Sequence, residues 1–260
     1  MNRELSVIVP AYREGARIHD NLRHLIEELE PLGLDYEVLV VSDGNQDDTV
    51  AEAERVGSPR VRVLAYEVNM GKGFALGYGV RHSEGELVTF IDADMELHPK
   101  EIRAFIEILK AGDHQVVVGS KRHPSSQVHY PLLRRLQSRA YQLLISVLFD
   151  LAVTDTQTGL KLFRREVLMD VVPRLAVKRF AFDLELLAVA HHRGFRRVAE
   201  APVHLDYQFS STVNLRSAFR ALWDTMAIFY RLRILRYYDR APGTWPAPEL
   251  RGQGGPDRPR

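Results

Sequence analysis

The feature that most constrains this fold is the alternation of short apolar runs with helical patterns in the first half of the chain. The runs are nearly free of polar groups, which is typical of strands buried on both faces of a sheet. Between them, apolar residues recur at helical spacing, as Ile18, Leu22 and Leu25 do after the first run. The pattern predicts an α/β fold with a mostly parallel sheet covered by helices on both faces, and it predicts strands at residues 5–9, 36–41, 61–64, 87–91 and 116–118.

Composition excludes several classes of function. The 35 Lys and Arg residues nearly balance the 34 Asp and Glu residues, so the net charge of +1 gives no general attraction to nucleic acid, and we expect no such partner. The absence of cysteine excludes disulfides, thiolate metal sites and a cysteine nucleophile. We expect no signal peptide before the first strand, and no run reaches the roughly 20 apolar residues that span a bilayer.

The second half of the chain has a different organisation. Residues 180–191 and 215–238 have helical patterns, and the sequence after residue 240 is rich in Pro, Gly and Arg. We therefore expect a catalytic domain over residues 1–212, a C-terminal amphipathic helix over 213–240 and a disordered tail over 241–260.

Two carboxylates follow the fourth apolar run. Ligands of such sheets bind beyond the carboxyl ends of the strands. In extended backbone, Asp92 and Asp94 point to the same side, and Glu96 continues the alternation. Carboxylate oxygens suit Mg²⁺ or Mn²⁺, so we expect Asp92, Asp94 and Glu96 to bind one of these ions. The alternative is that these acids only cap the helix that follows.

Two further polar clusters follow predicted strands. Asp43 lies where it could accept hydrogen bonds from a base or ribose, whereas Asp47 and Asp48 are expected to serve the local turn and the next helix. Lys72, between Gly71 and Gly73, could bring a cation and accessible backbone to phosphates, although the same motif also occurs in surface loops.

Taken in order, these motifs resemble a known family. Segments 9–14 (VPAYRE), 42–44 (SDG), 69–73 (NMGKG) and 92–94 (DAD) resemble the motifs of the GT-A family-two glycosyltransferases. Segments 119–121 (GSK), 155–163 (DTQTGLKLF) and 180–187 (FAFDLELL) are similar to the polyprenyl-phosphate branch, in particular to dolichyl-phosphate glucosyltransferases. The resemblance spans roughly residues 5–207. It departs from the family pattern at Ser42 and Lys121, where Asp and Arg are usual, and at residues 210–212.

The resemblance implies an inverting, metal-dependent hexosyltransferase that uses a nucleotide-sugar donor. UDP-glucose is the favoured donor, with GDP-mannose as the alternative, and the acceptor is a polyprenyl or dolichyl phosphate. The donor would contact Pro10, Tyr12, Glu14, Asp43, Lys72 and Asp92. The acceptor phosphate would be held by Lys121, Arg134 and Ser138, with Arg122, Arg135 and Arg139 adding positive charge. The sugar and acceptor side would be shaped by Asp155, Lys161, Asp183 and Glu185.

Two other functions fit the same motifs: a family-two enzyme with a soluble or polysaccharide acceptor, and a nucleotide-sugar binding module without turnover. A lipid acceptor requires contact with a membrane. Within 215–238, Phe219, Trp223 and Met226 share one helical face, while Arg216 and Arg220 lie on another. This pattern suits a helix at a membrane interface, and equally a helix packed on the catalytic domain. We expect a cytoplasmic enzyme bound peripherally to the inner face of the membrane.

Overall fold

The computed structural model describes residues 3–126, 132–177, 181–204 and 215–240, with side chains described outside 132–139 and 215–218. Within these ranges the strands are β1 (Leu5–Ala11), β2 (Tyr36–Asp43), β3 (Val61–Tyr66), β4 (Leu87–Phe90), β5 (Val116–Ser120), β6 (Lys161–Arg164) and β7 (Val198–Pro202). The α-helices are α1 (Ile18–Leu29), α2 (Thr49–Glu54), α3 (Lys72–His82), α4 (Glu101–Ala111), α5 (Leu132–Phe149), α6 (Arg165–Val171), α7 (Phe182–His192) and α8 (Leu215–Phe229).

The strands form one mixed sheet in the order β3-β2-β1-β4-β6-β5-β7. The pairings β1–β2, β2–β3, β1–β4 and β5–β7 are parallel, whereas β6 runs antiparallel to both β4 and β5. The mostly parallel sheet and its first five strands are therefore confirmed. The sequence analysis missed β6 and β7. Strand β6 has only four residues and starts and ends on a charged side chain, and β7 has a glutamate at its centre, so neither forms a continuous apolar run.

Helices cover both faces of this sheet, as predicted. Successive residues of β1 point to opposite sides: Ile8 packs in the core beneath α3 and α7, whereas Val7 and Val9 pack in the core beneath α1 and α4. The apolar stripe predicted for α1 is buried at Ile18, Leu22, Leu25 and Leu29. Two buried layers thus hold the sheet rigid, so that residues at its edge are presented on a fixed frame.

The C-terminal segment differs from the single helix predicted over 215–238. Helix α8 ends at Phe229, and a π-helical turn (Tyr230–Ile234) and a 3-10 turn (Tyr237–Asp239) follow. Arg236 has a left-handed φ of 47°, and the buried Tyr238 donates its hydroxyl to Glu185 of α7. This tertiary contact draws the end of the segment onto the domain. In the described ranges, every helix is too short or too polar to cross a bilayer. The predicted tail 241–260 lies outside the described residues.

The reversed direction of β6 determines which residues reach the carboxyl edge of the sheet. Because β6 is antiparallel, its first residue, Lys161, lies beside the last residue of β4, Phe90, and beside Val118 of β5. The side chain of Lys161 is 0% exposed, and its ammonium donates to the Thr158 carbonyl and, at 2.6 Å, to Asp183 Oδ1. An ion pair therefore joins the start of β6 to the first turn of α7.

We expect the variant Lys161→Met to lower the free energy of unfolding by about 3–5 kcal/mol, because it leaves the mostly buried Asp183 carboxylate without its cation. Urea unfolding of the purified chain measures this. The double variant Lys161→Met with Asp183→Asn should recover part of the loss, since no unpaired charge remains. If the single and the double variant lose the same free energy of unfolding, the unpaired Asp183 carboxylate is not the cause of the loss.

Candidate active site

A cavity of about 620 Å³ opens at the carboxyl edge of the sheet. Its walls come from the segments that follow β1, β2, β3 and β4, together with the loop before β6 and the start of α7. The topology thus brings distant parts of the chain to one place, where ligands of such sheets bind. The lining residues are Pro10, Ala11, Tyr12, Glu14, Asp43, Asn69, Gly71, Lys72, Asp92, Ala93, Asp94, Gln157, Phe182 and Asp183.

Asp92 and Asp94 both line this cavity, as their place after the fourth apolar run predicted. The extended backbone expected there is absent, because β4 ends at Phe90 and the N–H of Met95 donates to the Asp92 carbonyl at 3.0 Å in a turn. The Asp94 carboxylate is exposed, and its Oδ1 accepts the backbone N–H of Glu96 at 3.2 Å. The intervening Met95 has a left-handed φ of 53°, which turns the chain away from the strand direction. Glu96 therefore does not continue the alternation, and it is not among the residues that line the cavity. Of the three acids predicted to bind a metal ion, the two aspartates lie in the cavity lining, and the metal-binding role itself stays a prediction.

Lys72 is the cation closest to these acids among the described ion pairs. Its Nζ contacts Asp92 Oδ1. Burial of the ammonium opposes its charge, but the carboxylates of Asp92, Asp183 and Asp94 outweigh burial and raise the pKa of Lys72 above its usual range. The lysine consequently stays charged at neutral pH and keeps a positive group at the floor of the acidic cavity.

Asp43 is held by the loop that precedes α3. Its Oδ1 accepts the hydroxyl of Tyr66 at 2.9 Å and the backbone N–H of Met70 at 2.7 Å, and its Oδ2 accepts the N–H of Gly71 at 2.9 Å. Asp43 lines the cavity, as predicted for a donor contact, but much of its hydrogen-bonding capacity is used internally. Its evident structural role is to fix Gly71, which has a φ of 96°, so that Lys72 starts α3 beside Asp92.

Pro10, near the end of β1, and Tyr12 and Glu14, which follow the strand, line the same cavity. Burial raises the pKa of Glu14; Arg17 opposes this rise, and the negative charge of Asp94 adds to it. The backbone N–H of Glu14 donates to the Thr49 hydroxyl at 2.9 Å, which ties this segment to the start of α2. The three residues predicted from the first motif therefore all lie in the cavity lining.

The predicted acceptor residues lie in more than one place. Asp183 lines the cavity, with Lys161 buried behind it. Lys121 and Arg122 follow β5, and the N–H of Lys121 donates to Asp155 Oδ2 at 3.3 Å. Lys121, Arg122 and Asp155 are not among the residues that line the cavity. The side chains of Arg134, Arg135, Ser138 and Arg139 lie outside the described residues.

Glu185 lies outside the cavity lining, although the resemblance assigned it to the acceptor side. Its Oε2 accepts the N–H groups of Ala176 and Val177 at 3.1 and 2.8 Å, and its Oε1 accepts the hydroxyl of Tyr238. Burial raises the pKa of Glu185. Two helical positions separate it from Asp183, so the two acids point to different sides of α7. The structure thus gives Glu185 contacts that anchor the C-terminal segment.

Several site residues were not singled out from the sequence. Gln157 and Phe182 line the cavity, and Glu200 of β7 accepts the backbone N–H of Thr154 at 2.6 Å and thereby holds the 154–155 loop. Two glycines allow close packing here. A Cβ on Gly73 would lie 2.7 Å from Phe182, and a Cβ on Gly159 would lie 2.3 Å from the Asp92 carboxylate. The two glycines in these motifs could have indicated close packing from the sequence. The residues that they pack against are distant in the chain, so the sequence did not identify Phe182 as a site residue.

Comparisons with known proteins show which family the chain belongs to. Residues 6–172 match the family model described as Glycosyl transferase family 2. A dolichyl-phosphate beta-glucosyltransferase of Trichomonas vaginalis is 32% identical over 252 residues, which cover 90% of this chain and 74% of that protein. A dolichyl-phosphate beta-glucosyltransferase of Dictyostelium discoideum is 31% identical over 204 residues, covering 73% and 62% of the two chains.

A solved structure shares the fold. Glucosyl-3-phosphoglycerate synthase from Mycobacterium tuberculosis, in complex with Mn²⁺, UDP-glucose and phosphoglyceric acid, superimposes with a TM-score of 0.64 at 22% identity. The match covers 88% of this chain and 79% of that one. The GT-A architecture expected from the sequence is therefore confirmed. With the family model spanning most of the sheet and the first relative covering nearly the whole chain, this protein belongs to glycosyl transferase family 2.

Proposed function

We propose that this chain is an inverting glycosyltransferase that moves glucose from UDP-glucose to a polyprenyl phosphate such as dolichyl phosphate. The observation that carries the proposal is the convergence of Asp92, Asp94, Asp183 and Lys72 on one cavity in a family-two chain. The two relatives named as dolichyl-phosphate beta-glucosyltransferases support the choice of sugar and acceptor. Mannose from GDP-mannose is the alternative sugar.

The donor lies with its nucleoside against Pro10, Tyr12 and Glu14 and its diphosphate toward Asp92 and Asp94. A nucleotide-sugar carries two negative phosphates, and the cavity is acidic, so a cation must stand between them. The ammonium of Lys72 already contacts Asp92, which indicates that a positive charge is stable at this position. Asp92 and Asp94 offer oxygen ligands that suit Mg²⁺ or Mn²⁺. The M. tuberculosis synthase was solved with Mn²⁺ and UDP-glucose, which supports a divalent ion at the equivalent step. Such an ion, when bound, neutralises charge on the leaving diphosphate.

The acceptor itself supplies the nucleophile. A phosphate monoester has a second pKa of about 6, so it is largely a dianion at neutral pH. One phosphate oxygen attacks the anomeric carbon, the bond from that carbon to the donor diphosphate breaks, and the nucleoside diphosphate leaves with the electron pair. A strong general base is therefore unnecessary. The protein must hold two anions together, and Lys121, with Arg122, Arg134, Ser138 and Arg139, is the proposed acceptor-phosphate set. Asp183, fixed by Lys161, is positioned to accept hydrogen bonds from sugar hydroxyls.

The C-terminal segment supplies the proposed membrane contact. Thr225, Ile228 and Leu232 face the domain and are buried, so the packed-helix interpretation holds for one side of the segment. Phe219 and Trp223, one helical turn apart, are each 69% exposed, and eight further large apolar side chains of α5 and the C-terminal segment are exposed with them. These are Leu143, Val147, Leu222, Met226, Tyr230, Ile234, Leu235 and Tyr237. We define these ten residues as the apolar surface.

Exposed aromatic and aliphatic side chains that are neighbours on one surface, as Phe219 and Trp223 are, are typical of an interface. Arg220, Arg233 and Arg236 are exposed on the same segment and could pair with anionic lipid. The proposed acceptor remains in the bilayer, so the enzyme must reach the interface. We therefore propose peripheral binding to the cytoplasmic face of the membrane through the apolar surface.

The sugar and the stereochemistry are tested with a donor panel. We expect transfer to polyprenyl phosphate from UDP-glucose in preference to GDP-mannose, and a β-linked lipid-phosphate sugar from the α-linked donor, because direct attack inverts the anomeric carbon. Lipid extraction measures transfer, and NMR of the product measures the linkage. Glycerate and a glucan serve as soluble-acceptor arms. An α-linked product, or transfer confined to a soluble acceptor, would contradict the proposal.

Metal dependence is tested with Asp94→Ala. We expect turnover to fall by at least about 100-fold, since the variant removes charge stabilisation at the leaving diphosphate. Excess EDTA should abolish activity of the unaltered chain, and added Mn²⁺ or Mg²⁺ should restore it. Glu107→Ala, an exposed acid of α4, is the matched control and should retain turnover. Both variants are checked for an unchanged melting temperature. Full activity in EDTA would overturn the metal assignment.

Membrane binding is tested by flotation with liposomes that contain anionic lipid. We expect binding of the unaltered chain at low salt and a decrease as salt rises, because each basic residue near such a surface contributes about 1 kcal/mol that salt screens. Phe219→Asp with Trp223→Asp should weaken binding while the melting temperature is retained, since both side chains are exposed. Met169→Asp, an exposed apolar residue of α6, is the control. Flotation by the double variant equal to that of the unaltered chain would exclude the apolar surface.

A further inference from the structure

We propose that His24, Glu28 and His98 form a site for a borderline divalent transition-metal ion such as Zn²⁺, separate from the two aspartates of the cavity. Each residue offers a ligand atom, and these atoms all lie within 4.8 Å of one another. All three side chains are half-buried, so they are partly held by their surroundings and still open to an entering ion. The proposal does not depend on the transferase function.

The three ligands come from two elements that the fold brings together. His24 and Glu28 are four residues apart on α1 and therefore lie on one face of that helix. His98 belongs to the segment between β4 and α4. The rings of His24 and His98 meet edge to face, with their centroids 4.9 Å apart. The ring contact and the mutual distances of at most 4.8 Å place one ligand atom of each residue within reach of a single ion.

The ligand types decide which ion the site selects. Two imidazoles and one carboxylate are a set that binds Zn²⁺, with water completing the coordination. Mg²⁺ prefers oxygen ligands in octahedral geometry and binds such a set poorly. Asp92 and Asp94 offer oxygen only and favour the harder ions. The 92–98 segment would therefore contribute to two chemically different cation sites.

One existing hydrogen bond competes with the ion. The backbone N–H of Lys100 donates to His98 Nδ1 at 3.2 Å. If Nε2 of His98 binds the ion, the ring proton moves to Nδ1 and this hydrogen bond is lost; if Nδ1 binds, the ion displaces the N–H directly. Lys100 is exposed, so water can replace the lost partner. Competition from this bond is therefore weak.

An ion at this site would join α1 to the segment that carries the cavity aspartates. The same helix already contacts that segment, because Asn21 Nδ2 donates to the Ala93 carbonyl at 2.8 Å. The ion would add a second link, four residues beyond Asp94. A ligand that binds the folded chain and not the unfolded chain raises stability with its concentration. We expect bound Zn²⁺ to stabilise the position of the 92–98 segment against α1.

The test uses the full chain, stripped with a chelator, dialysed and titrated with ZnCl₂ by calorimetry, with thermal unfolding as a second readout. We expect one equivalent to bind and the melting temperature to rise, without competition from excess Mg²⁺. Two variants remove ligands: the double variant His24→Ala with His98→Ala, and the near-isosteric Glu28→Gln. In each, zinc affinity should fall by more than about 10–100-fold, because that is the usual cost of losing only an outer-shell partner of a metal site. The control His19→Ala changes a residue of the same helix outside the cluster, and this variant should still bind one equivalent of Zn²⁺.

A variant of the other site separates the two. Asp92→Asn with Asp94→Asn should still bind one equivalent of Zn²⁺ with an unchanged shift in melting temperature. The proposal is overturned if the stripped chain binds no zinc, if the equivalent is lost with the two aspartates, or if Glu28→Gln and the His24/His98 variant both retain the affinity of the unaltered chain. If the double histidine variant does not fold, Glu28→Gln decides alone.

Discussion

Negative charge concentrated at one edge of the sheet is the constraint on which the site depends. One cavity is lined by four aspartates: Asp43, Asp92, Asp94 and Asp183. Neighbouring carboxylates disfavour each other's charged form unless a positive group or a hydrogen-bond donor compensates the charge. The compensation differs for each acid. Asp92 contacts Lys72, Asp183 pairs with the buried Lys161, and Asp43 accepts backbone N–H groups. Asp94 is the exposed member: it accepts the N–H of Glu96 and is otherwise compensated by solvent.

These compensating contacts also determine the shape of the cavity. The bonds from Asp43 hold Gly71 at the start of α3 and thereby place Lys72. Gly73 lets α3 approach Phe182 at the start of α7, and Gly159 lets the loop before β6 pass beside Asp92. Charge pairing and close backbone packing therefore reinforce each other. A larger residue at either glycine would push apart the walls that the ion pairs hold together.

Helix α7 connects the cavity with the C-terminal segment. Its first turn carries Asp183, which lines the cavity, and Glu185, which accepts the Tyr238 hydroxyl and lies 3.7 Å from Arg231. The buried side of α8 packs through Thr225, whose hydroxyl lies 2.8 Å from that of Tyr141 in α5. The apolar surface is thus mounted on the same rigid frame as the site. A lipid-linked acceptor held there would be presented at a defined position relative to the donor.

Sequence by itself determined the parts of this protein whose signal is local. Buried strands need continuous apolar runs, so the five strands β1–β5 could be predicted. The position of Asp92 and Asp94 directly after the fourth run predicted that they lie at the carboxyl edge of the sheet. The ordered motifs identified the family, and the family model and the relatives confirmed it.

Tertiary structure decided what depends on partners distant in sequence. The short β6 is a strand because β4 and β5 pair with it, and its reversed direction brings Lys161 to Asp183. Glu185 anchors Tyr238 instead of lining the cavity, and the C-terminal segment both packs on the domain and exposes apolar side chains. Each outcome follows from the free energy of contacts between remote segments, which a local pattern of residues does not encode.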